Sequence, residues 1–316
     1  MSVWTSSIPF ATGRKGRVSM VQTGNDIWIM NEPCHGNYRA DVFVFNTELQ
    51  QLSKVSVDFP PILMVIAFIA HGGKIYFILY EIDMGFLLYQ LDTNTKQFEL
   101  VLKAEGMNEF LPSVTIIENV MYFLECDYLT RSLLLHKIDL VGIRMLETRT
   151  LKTLDVYRPN YDLSSTDNSL YLLEANWSKK MRTVFKIGKD GLEQLHKEVY
   201  CRNVRFESFT GFLKLDTENG EKPVFYLDSF DFKTNKWIRM ECGYHTNKIE
   251  ALLKTDDIVC AIVASKTVPA GFEIRMLERL PNLQKRCILN VIEEIIESKD
   301  LSLVGKFGRC LPPMLK

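Results

Sequence analysis

Two stretches that share one turn decide the fold: Tyr89-Gln-Leu-Asp-Thr-Asn-Thr-Lys-Gln-Phe98 and Phe230-Asp-Phe-Lys-Thr-Asn-Lys-Trp237. In each, an alternating apolar strand ends in an aspartate, a polar turn containing Thr-Asn follows, and an aromatic residue comes six positions after the aspartate. Asp and Asn tolerate tight turns because their side chains bond to nearby backbone N–H groups. Both stretches therefore predict a β-hairpin, and its aromatic residue, Phe98 or Trp237, is expected to be buried between neighbouring sheets.

Weaker copies of this strand end recur at intervals of roughly 42 to 50 residues, which is the period of a repeat architecture. Their terminal turn residues are Asn46, Asp92, Asp139, Gly188, Asp231 and Glu278. A second marker, a turn-forming pair followed by a short apolar strand, keeps the same spacing at Ile27, Ile75, Val120, Leu170, Phe212 and Ile258. Two independent markers thus agree on six units.

A unit of roughly 45 residues has room for four short strands; in the second unit we predict them over 63–69, 74–79, 86–91 and 97–102. A lone four-stranded sheet exposes two apolar faces, and stacking six such sheets around an axis buries them. We therefore predict an all-β chain, a six-bladed β-propeller of four-stranded antiparallel blades, as a single domain over 1–316. The expected repeats are about 17–59, 60–107, 111–155, 159–201, 204–245 and 248–290, followed by a closing segment or short helix over 291–316. One terminus is expected to add the strand that closes the ring, and the sequence leaves both termini as candidates.

The hairpin between the third and fourth strands resembles the kelch repeat, and the resemblance covers roughly residues 17–290. The glycine pair expected at the end of the second strand is missing from all six units; Gly72-Gly73 precedes that strand instead. The resemblance implies a kelch-like propeller that binds another protein, as the substrate-recruiting subunits of ubiquitin ligases do. Those subunits carry a separate BTB or F-box recruitment domain, so this chain would be a fragment, a stand-alone adaptor or an unrelated binder.

Composition narrows the range of partners. Lys and Arg number 38 against 39 Asp and Glu, for a formal net charge of −1, so no overall field favours nucleic acid or anionic lipid. Seven scattered cysteines without a Cys-x-x-Cys pair indicate a reducing compartment rather than a disulfide framework. With no secretory signal and no membrane-length apolar run, we expect a monomer in the cytoplasm or the nucleus, with neither nucleic acid nor membrane as its partner.

The sequence contains no catalytic motif of a known type. It has no Gly-x-Ser-x-Gly elbow, phosphate loop, His-Glu-x-x-His or dinucleotide fingerprint, and its five histidines show no metal-ligand spacing. We therefore expect no enzyme activity and no cofactor. The alternative of an enzyme with its site at the mouth of the propeller stays open, because the fold does not determine the function.

A binding face is predicted where the second strands of the first five units end. An acidic residue follows the aromatic of each strand: Glu32, Glu81, Glu125, Glu174 and Asp216. Carboxylates around one concave mouth reinforce each other's potential, which favours a basic or polar segment of a partner protein. Two loop aromatics at the same end, Tyr128 and Trp177, are the expected anchors of that partner.

Overall fold

In a computed structural model of the chain, the described residues form 23 β-strands and no helix. The structure describes residues 4–11, 16–33, 41–57, 64–81, 85–104, 109–127, 129–154, 160–176, 179–199, 209–215, 224–243, 249–254, 259–264 and 271–277. The expected closing segment or helix over 291–316 lies outside these ranges.

The strands are numbered along the chain, and β1 covers Trp4–Ala11. Blade 1 contains β2 (Gly16–Thr23), β3 (Asp26–Pro33), β4 (Asp41–Asn46) and β5 (Gln51–Val55). Blade 2 contains β6 (Met64–His71), β7 (Lys74–Glu81), β8 (Gly85–Asp92) and β9 (Phe98–Ala104). Blade 3 contains β10 (Glu109–Ile117), β11 (Val120–Asp127), β12 (Ser132–Asp139) and β13 (Arg144–Thr153). Blade 4 contains β14 (Asn160–Thr166), β15 (Ser169–Asn176), β16 (Met181–Ile187) and β17 (Leu192–Val199).

Two further sheets complete the described structure. Sheet 5 contains β18 (Thr210–Leu215), β19 (Val224–Asp231) and β20 (Lys236–Gly243). Sheet 6 contains β21 (Ile249–Lys254), β22 (Val259–Ala264) and β23 (Gly271–Leu277), and its fourth strand is β1.

The prediction of an all-β propeller with four-stranded antiparallel blades is confirmed. The prediction of six equivalent blades is corrected, because only blades 1 to 4 consist of four consecutive strands in the described part of the chain. Sheet 5 has three described strands, and residues 200–208, which precede β18, lie outside the described ranges. Sheet 6 reaches four strands only because β1, from the N-terminal segment, is added to it. Without β1, the outer edge of β23 would expose unpaired backbone groups.

Strand β1 is the closing strand that the sequence could not assign to either terminus. It pairs antiparallel with β23, in a register that includes Ser7 opposite Arg275 and Phe10 opposite Phe272. The N-terminal segment thereby joins the sheet formed by residues 249–277. The two ends of the described chain are held together by backbone hydrogen bonds.

Contacts between neighbouring sheets show which strands lie nearest the axis of the propeller. Blades 1 to 4 contact their neighbours through their first strands, β2 with β6, β6 with β10 and β10 with β14, and β2 also contacts β21. First strands therefore lie nearest the axis, and fourth strands face outwards. We call the end that carries the turns between strands one and two and between strands three and four the turn end, and the opposite end the loop end.

The turn that decided the fold forms as predicted. The backbone N–H groups of Asn94 and Thr95 donate to Asp92, at 2.9 and 2.8 Å, and that of Lys233 donates to Asp231 at 3.0 Å. The residue four positions after the capping side chain has a positive φ in four such turns: Gln50 (52°), Lys96 (61°), Ile143 (46°) and Asn235 (53°). The polar cap thus holds each hairpin in a conformation that non-glycine residues seldom adopt.

The core lies between adjacent sheets rather than within one of them. One cluster joins blades 1 and 2, and a second joins blades 2 and 3, where the Phe86 and Phe123 rings stack with centroids 4.9 Å apart. Trp237 and Phe98 pack against such clusters, but both are only half-buried. Both lie on the last described strand of their sheet, β9 and β20, where burial is less complete than on the inner strands.

Candidate functional site

The structure describes the side chains of two of the seven predicted site residues, Glu125 and Glu174. Glu32 and Glu81 lie at the loop-end termini of β3 and β7, where the strand is described but the side chain is not. Three other predicted residues, Tyr128, Trp177 and Asp216, lie outside the described residues.

Glu125 lies in a buried polar cluster inside blade 3. Its exposed fraction is 3%, and its Oε2 is 2.6 Å from Nε2 of His136, which is 2% exposed. The other ring nitrogen of His136 lies 2.9 Å from Oγ1 of Thr148, and Phe123 stacks on the imidazole. Carboxylate, imidazole and hydroxyl in series also occur in hydrolase triads, but here the carboxylate and the ring are enclosed between blades 2 and 3. The cluster therefore ties β11, β12 and β13 together.

Glu174 is paired in a similar way in blade 4. It is 8% exposed and accepts a hydrogen bond from Nζ of Lys152, on the outermost strand of blade 3. The same ammonium lies 5.9 Å from the ring centroids of Tyr161 and Phe185. This ion pair links blades 3 and 4.

The expectation that these two carboxylates stand open at an acidic edge is therefore corrected. A buried carboxylate without a partner is strongly disfavoured, so it is found with a cation or a donor. Glu125 has His136 and Glu174 has Lys152. No local sequence pattern indicates this pairing, because His136 comes from the adjacent strand of the same blade and Lys152 from the neighbouring blade.

The described part of the loop end presents a different feature, the turn between β11 and β12. The side chain of Asp127 accepts hydrogen bonds from the backbone N–H groups of Leu129 and Thr130 and from the Thr130 hydroxyl. These bonds, the one from the Thr130 hydroxyl foremost, lower the pKa of Asp127. Leu129 is 88% exposed at the tip of the turn, the highest value among the large apolar residues that the structure describes. A fixed turn thus holds an apolar side chain in solvent.

Near the axis, Asp162 connects three consecutive sheets. The carboxylate, on β14, accepts hydrogen bonds from Oγ of Ser113 on β10 (2.7 Å) and from the backbone N of Phe209, next to β18 (2.9 Å). Some of its surface remains accessible, but protein surrounds the group. The loss of hydration raises the pKa of Asp162 to about 6, against the lowering effect of its hydrogen bonds.

Ionisation of Asp162 should therefore cost stability. The folded-state pKa lies above the unfolded value of 3.8, so the contribution of this group to the free energy of unfolding is greatest at acidic pH and is lost as pH rises towards about 6. We expect Asp162→Asn to gain about 1–2 kcal/mol relative to the wild type between pH 4 and pH 7, after allowing for partial exposure. Urea unfolding at a series of pH values measures this difference. Asp167→Asn, in the exposed β14–β15 turn, is the control and should show no such trend; a flat Asp162 difference would contradict the assignment.

The described residues contain no group of three or more His, Cys, Asp or Glu side chains that could hold a metal ion. None of their elements is a helix long and apolar enough to span a membrane.

Comparison with known proteins identifies no relative. No family model matches the chain, and no curated protein matches it. The resemblance to the kelch repeat thus rests on the hairpin turns and their spacing, and functional inference has to start from the geometry.

Proposed function

We propose that the chain is a protein-interaction module whose six sheets close into one six-bladed ring, and that it binds a partner protein through the loop end. In this proposal it acts as an adaptor, resembling the substrate-recruiting kelch subunits of ubiquitin ligases. Loops supported by a rigid scaffold are where such folds place their binding residues.

The proposal rests mainly on the exposure of the Leu129 side chain. Fixing a fully solvated leucine on a capped turn gives the isolated chain no burial energy, whereas burial against a partner would release about 1.5–3 kcal/mol. The neighbouring residue in the sequence is Tyr128, one of the predicted anchors. An apolar centre surrounded by polar groups is the usual composition of a binding hot spot.

The acidic residues take a smaller part in this proposal than the sequence pattern alone suggests. Glu125 and Glu174 stabilise the strands beneath the loops, since each is bonded inside the protein. The electrostatic part of recognition would come from Glu32, Glu81 and Asp216, with Trp177 as a second anchor. Exposed ion pairs contribute only about 0–1 kcal/mol each, so they would mainly set orientation and association rate.

Replacing Leu129 by Asp tests the proposal. We expect tagged wild-type protein to retain a reproducible set of partner proteins from a lysate, and Leu129→Asp to lose at least one of them, because a carboxylate cannot enter an apolar pocket without losing its hydration. Quantitative mass spectrometry of the retained proteins is the measurement. Thermal unfolding should be unchanged, since Leu129 makes no core contact that the variant would remove.

The matched control is Leu49→Asp. Leu49 is 66% exposed at the tip of the β4–β5 turn, and Asn46 caps this turn through the N–H groups of Glu48 and Leu49. Leu49→Asp therefore makes the same change, from an exposed leucine to a carboxylate, at the turn end. If both variants retain every partner, or if Leu49→Asp alone loses them, the loop end is not the binding face.

A further inference from the structure

A groove of about 700 Å³ lies between blades 3 and 4 at the turn end. Its floor is apolar, and Leu135 and Leu170 within it are buried. The complete set of apolar lining residues is Ile117, Tyr122, Leu135, Leu170 and Ile187. The groove lies at the end of the molecule opposite Leu129, so it is independent of the function proposed above.

The rim of the groove carries an excess of positive charge. Four cations line it, Lys137, Arg149, Lys186 and Lys189, against one carboxylate, Glu147, which leaves an excess of three charges. Glu147 accepts a hydrogen bond from Lys137, and this bond with the nearby positive charges lowers the pKa of Glu147.

Two of the cations, Lys186 and Lys189, form no ion pair within the described residues. Glu193 lies opposite Lys186 in the pairing of β16 with β17, and Asp190 follows Lys189 along the chain, but neither carboxylate lines the groove. The positive charge on this wall is therefore not matched by a carboxylate inside the groove.

Arg149 joins the two walls. From β13 of blade 3, its Nη1 donates to the carbonyl oxygen of Lys189 and its Nη2 to that of Gly188, both at 3.0 Å. These acceptors belong to the β16–β17 turn of blade 4 and are uncharged, so they fix the guanidinium without neutralising it. The groove is thus formed before any ligand arrives, which lowers the cost of binding.

The shape of the groove decides between an extended ligand and a small one. Sites for small molecules are usually deep and cover about 70–90% of the ligand surface, whereas this groove is only about half enclosed by protein. A peptide can lie along an open groove, place an apolar side chain on the floor and bring carboxylates to the rim. We propose that this groove binds an acidic peptide segment of a partner protein, with an apolar or aromatic residue between its carboxylates.

The test uses a fluorescently labelled peptide with one central Phe and three Glu residues on each side, titrated with the full chain and followed by fluorescence anisotropy. Saturable binding is expected, and it should weaken as salt is added because the rim charges are exposed. Lys186→Glu and Lys189→Glu should each weaken binding about fivefold or more. The peptide with Ala in place of Phe should also bind more weakly, because it leaves the floor uncovered.

The matched control is Lys180→Glu. Lys180 directly precedes β16 at the loop end, whereas Lys189 follows the same strand at the turn end, and both side chains are exposed. The control makes the same change in net charge and should leave binding within about twofold of the wild type. Should a Glu variant unfold, Lys186→Gln and Lys189→Gln provide the same test with a smaller expected loss.

Several results would overturn the proposal. Equal losses for Lys189→Glu and Lys180→Glu would show general attraction between charges rather than a site. A peptide that does not saturate below about 1 mM, the weakest affinity that a specific site would show, would also exclude the site. Equal binding of the Phe and Ala peptides would remove the role of the floor, and competition by inorganic phosphate at the peptide's own concentration would indicate a site for free anions.

Discussion

Asp228→Ala is expected to lower the free energy of unfolding by about 2–4 kcal/mol, because it leaves the buried Arg182 guanidinium with only Glu198, a partly exposed carboxylate 2.8 Å from Nη2, as its counter-charge. Asp228 is fully buried on β19, and its Oδ2 lies 2.7 Å from Nη2 of Arg182, which is 1% exposed on β16. The guanidinium carbon of Arg182 also lies 3.3 Å from the ring centroid of Trp237. The pair therefore joins blade 4 to sheet 5 in a place that water does not reach.

The same network contains its own control. Arg239, with its side chain 46% exposed, donates from Nε to Asp228 at 3.2 Å and from Nη2 to Glu198 at 3.0 Å. Solvent can replace these bonds, so Arg239→Ala should cost about 1 kcal/mol or less. Urea unfolding of the three proteins gives the comparison.

A double substitution separates the charge effect from general damage to packing. Replacing Arg182 by Met and Asp228 by Leu removes both buried charges and keeps apolar volume against Trp237. Buried ion pairs exchanged for apolar residues of similar size are often neutral or stabilising, so this variant should recover most of the loss. If it is as unstable as Asp228→Ala, the loss of the buried counter-charge is not the cause.

The repeat and its hairpins could be predicted from the sequence because the signals for them are local. An aspartate and its following turn contain both the side-chain acceptor and the N–H groups it binds, as Asp92 with Asn94 and Thr95 shows. Strand position in the second unit was predicted to within about two residues for the same reason. Local signals of this kind can be recognised in the sequence without knowing how the rest of the chain folds.

The environment of the predicted site residues could not be predicted in this way. Glu125 is an acidic residue near the end of β11, where the sequence pattern predicts exposure, yet it contacts His136 on the adjacent strand and is buried. Glu174 meets Lys152 from a different blade. Such partners depend on strand register and on the packing of one sheet against the next. Neither can be inferred from the sequence near the carboxylate.

Leu129 and the basic groove were missed for complementary reasons. Leu129 was not predicted because aromatic residues are the more typical anchors of a binding site. Its place directly after Tyr128 in a polar loop nevertheless indicates an exposed apolar residue. The groove combines residues from six strands and two turns, and Lys137 and Lys186 alternate with apolar residues as ordinary strand positions do. Only the packing of blade 3 on blade 4 brings them together.

Removing residues 1–11 is expected to have the largest effect on stability. This deletion takes away β1, which forms seven residue pairs with β23. An antiparallel ladder has about one backbone hydrogen bond per residue pair on average, so at about 0.5–1.5 kcal/mol for each bond the loss amounts to roughly 4–10 kcal/mol. Since domains of this kind are stable by about 5–15 kcal/mol, most of the truncated chain should be unfolded or aggregated at 37 °C.

The loss should also be reversible in a way that only strand pairing explains. Without β1, the outer edge of β23 offers unpaired N–H and C=O groups next to Phe272 and Ile274, which are buried in the full chain. A synthetic peptide of residues 1–11 can pair with that edge, so adding it to the truncated protein should raise the unfolding temperature with increasing peptide concentration. The same peptide with N-methylisoleucine at position 8, opposite Ile274, keeps its side chain but lacks an N–H donor at a position that alternates with Pro9, and it should rescue less. A truncated protein as stable as the full chain, or equal rescue by both peptides, would show that pairing of β1 with β23 does not stabilise the fold.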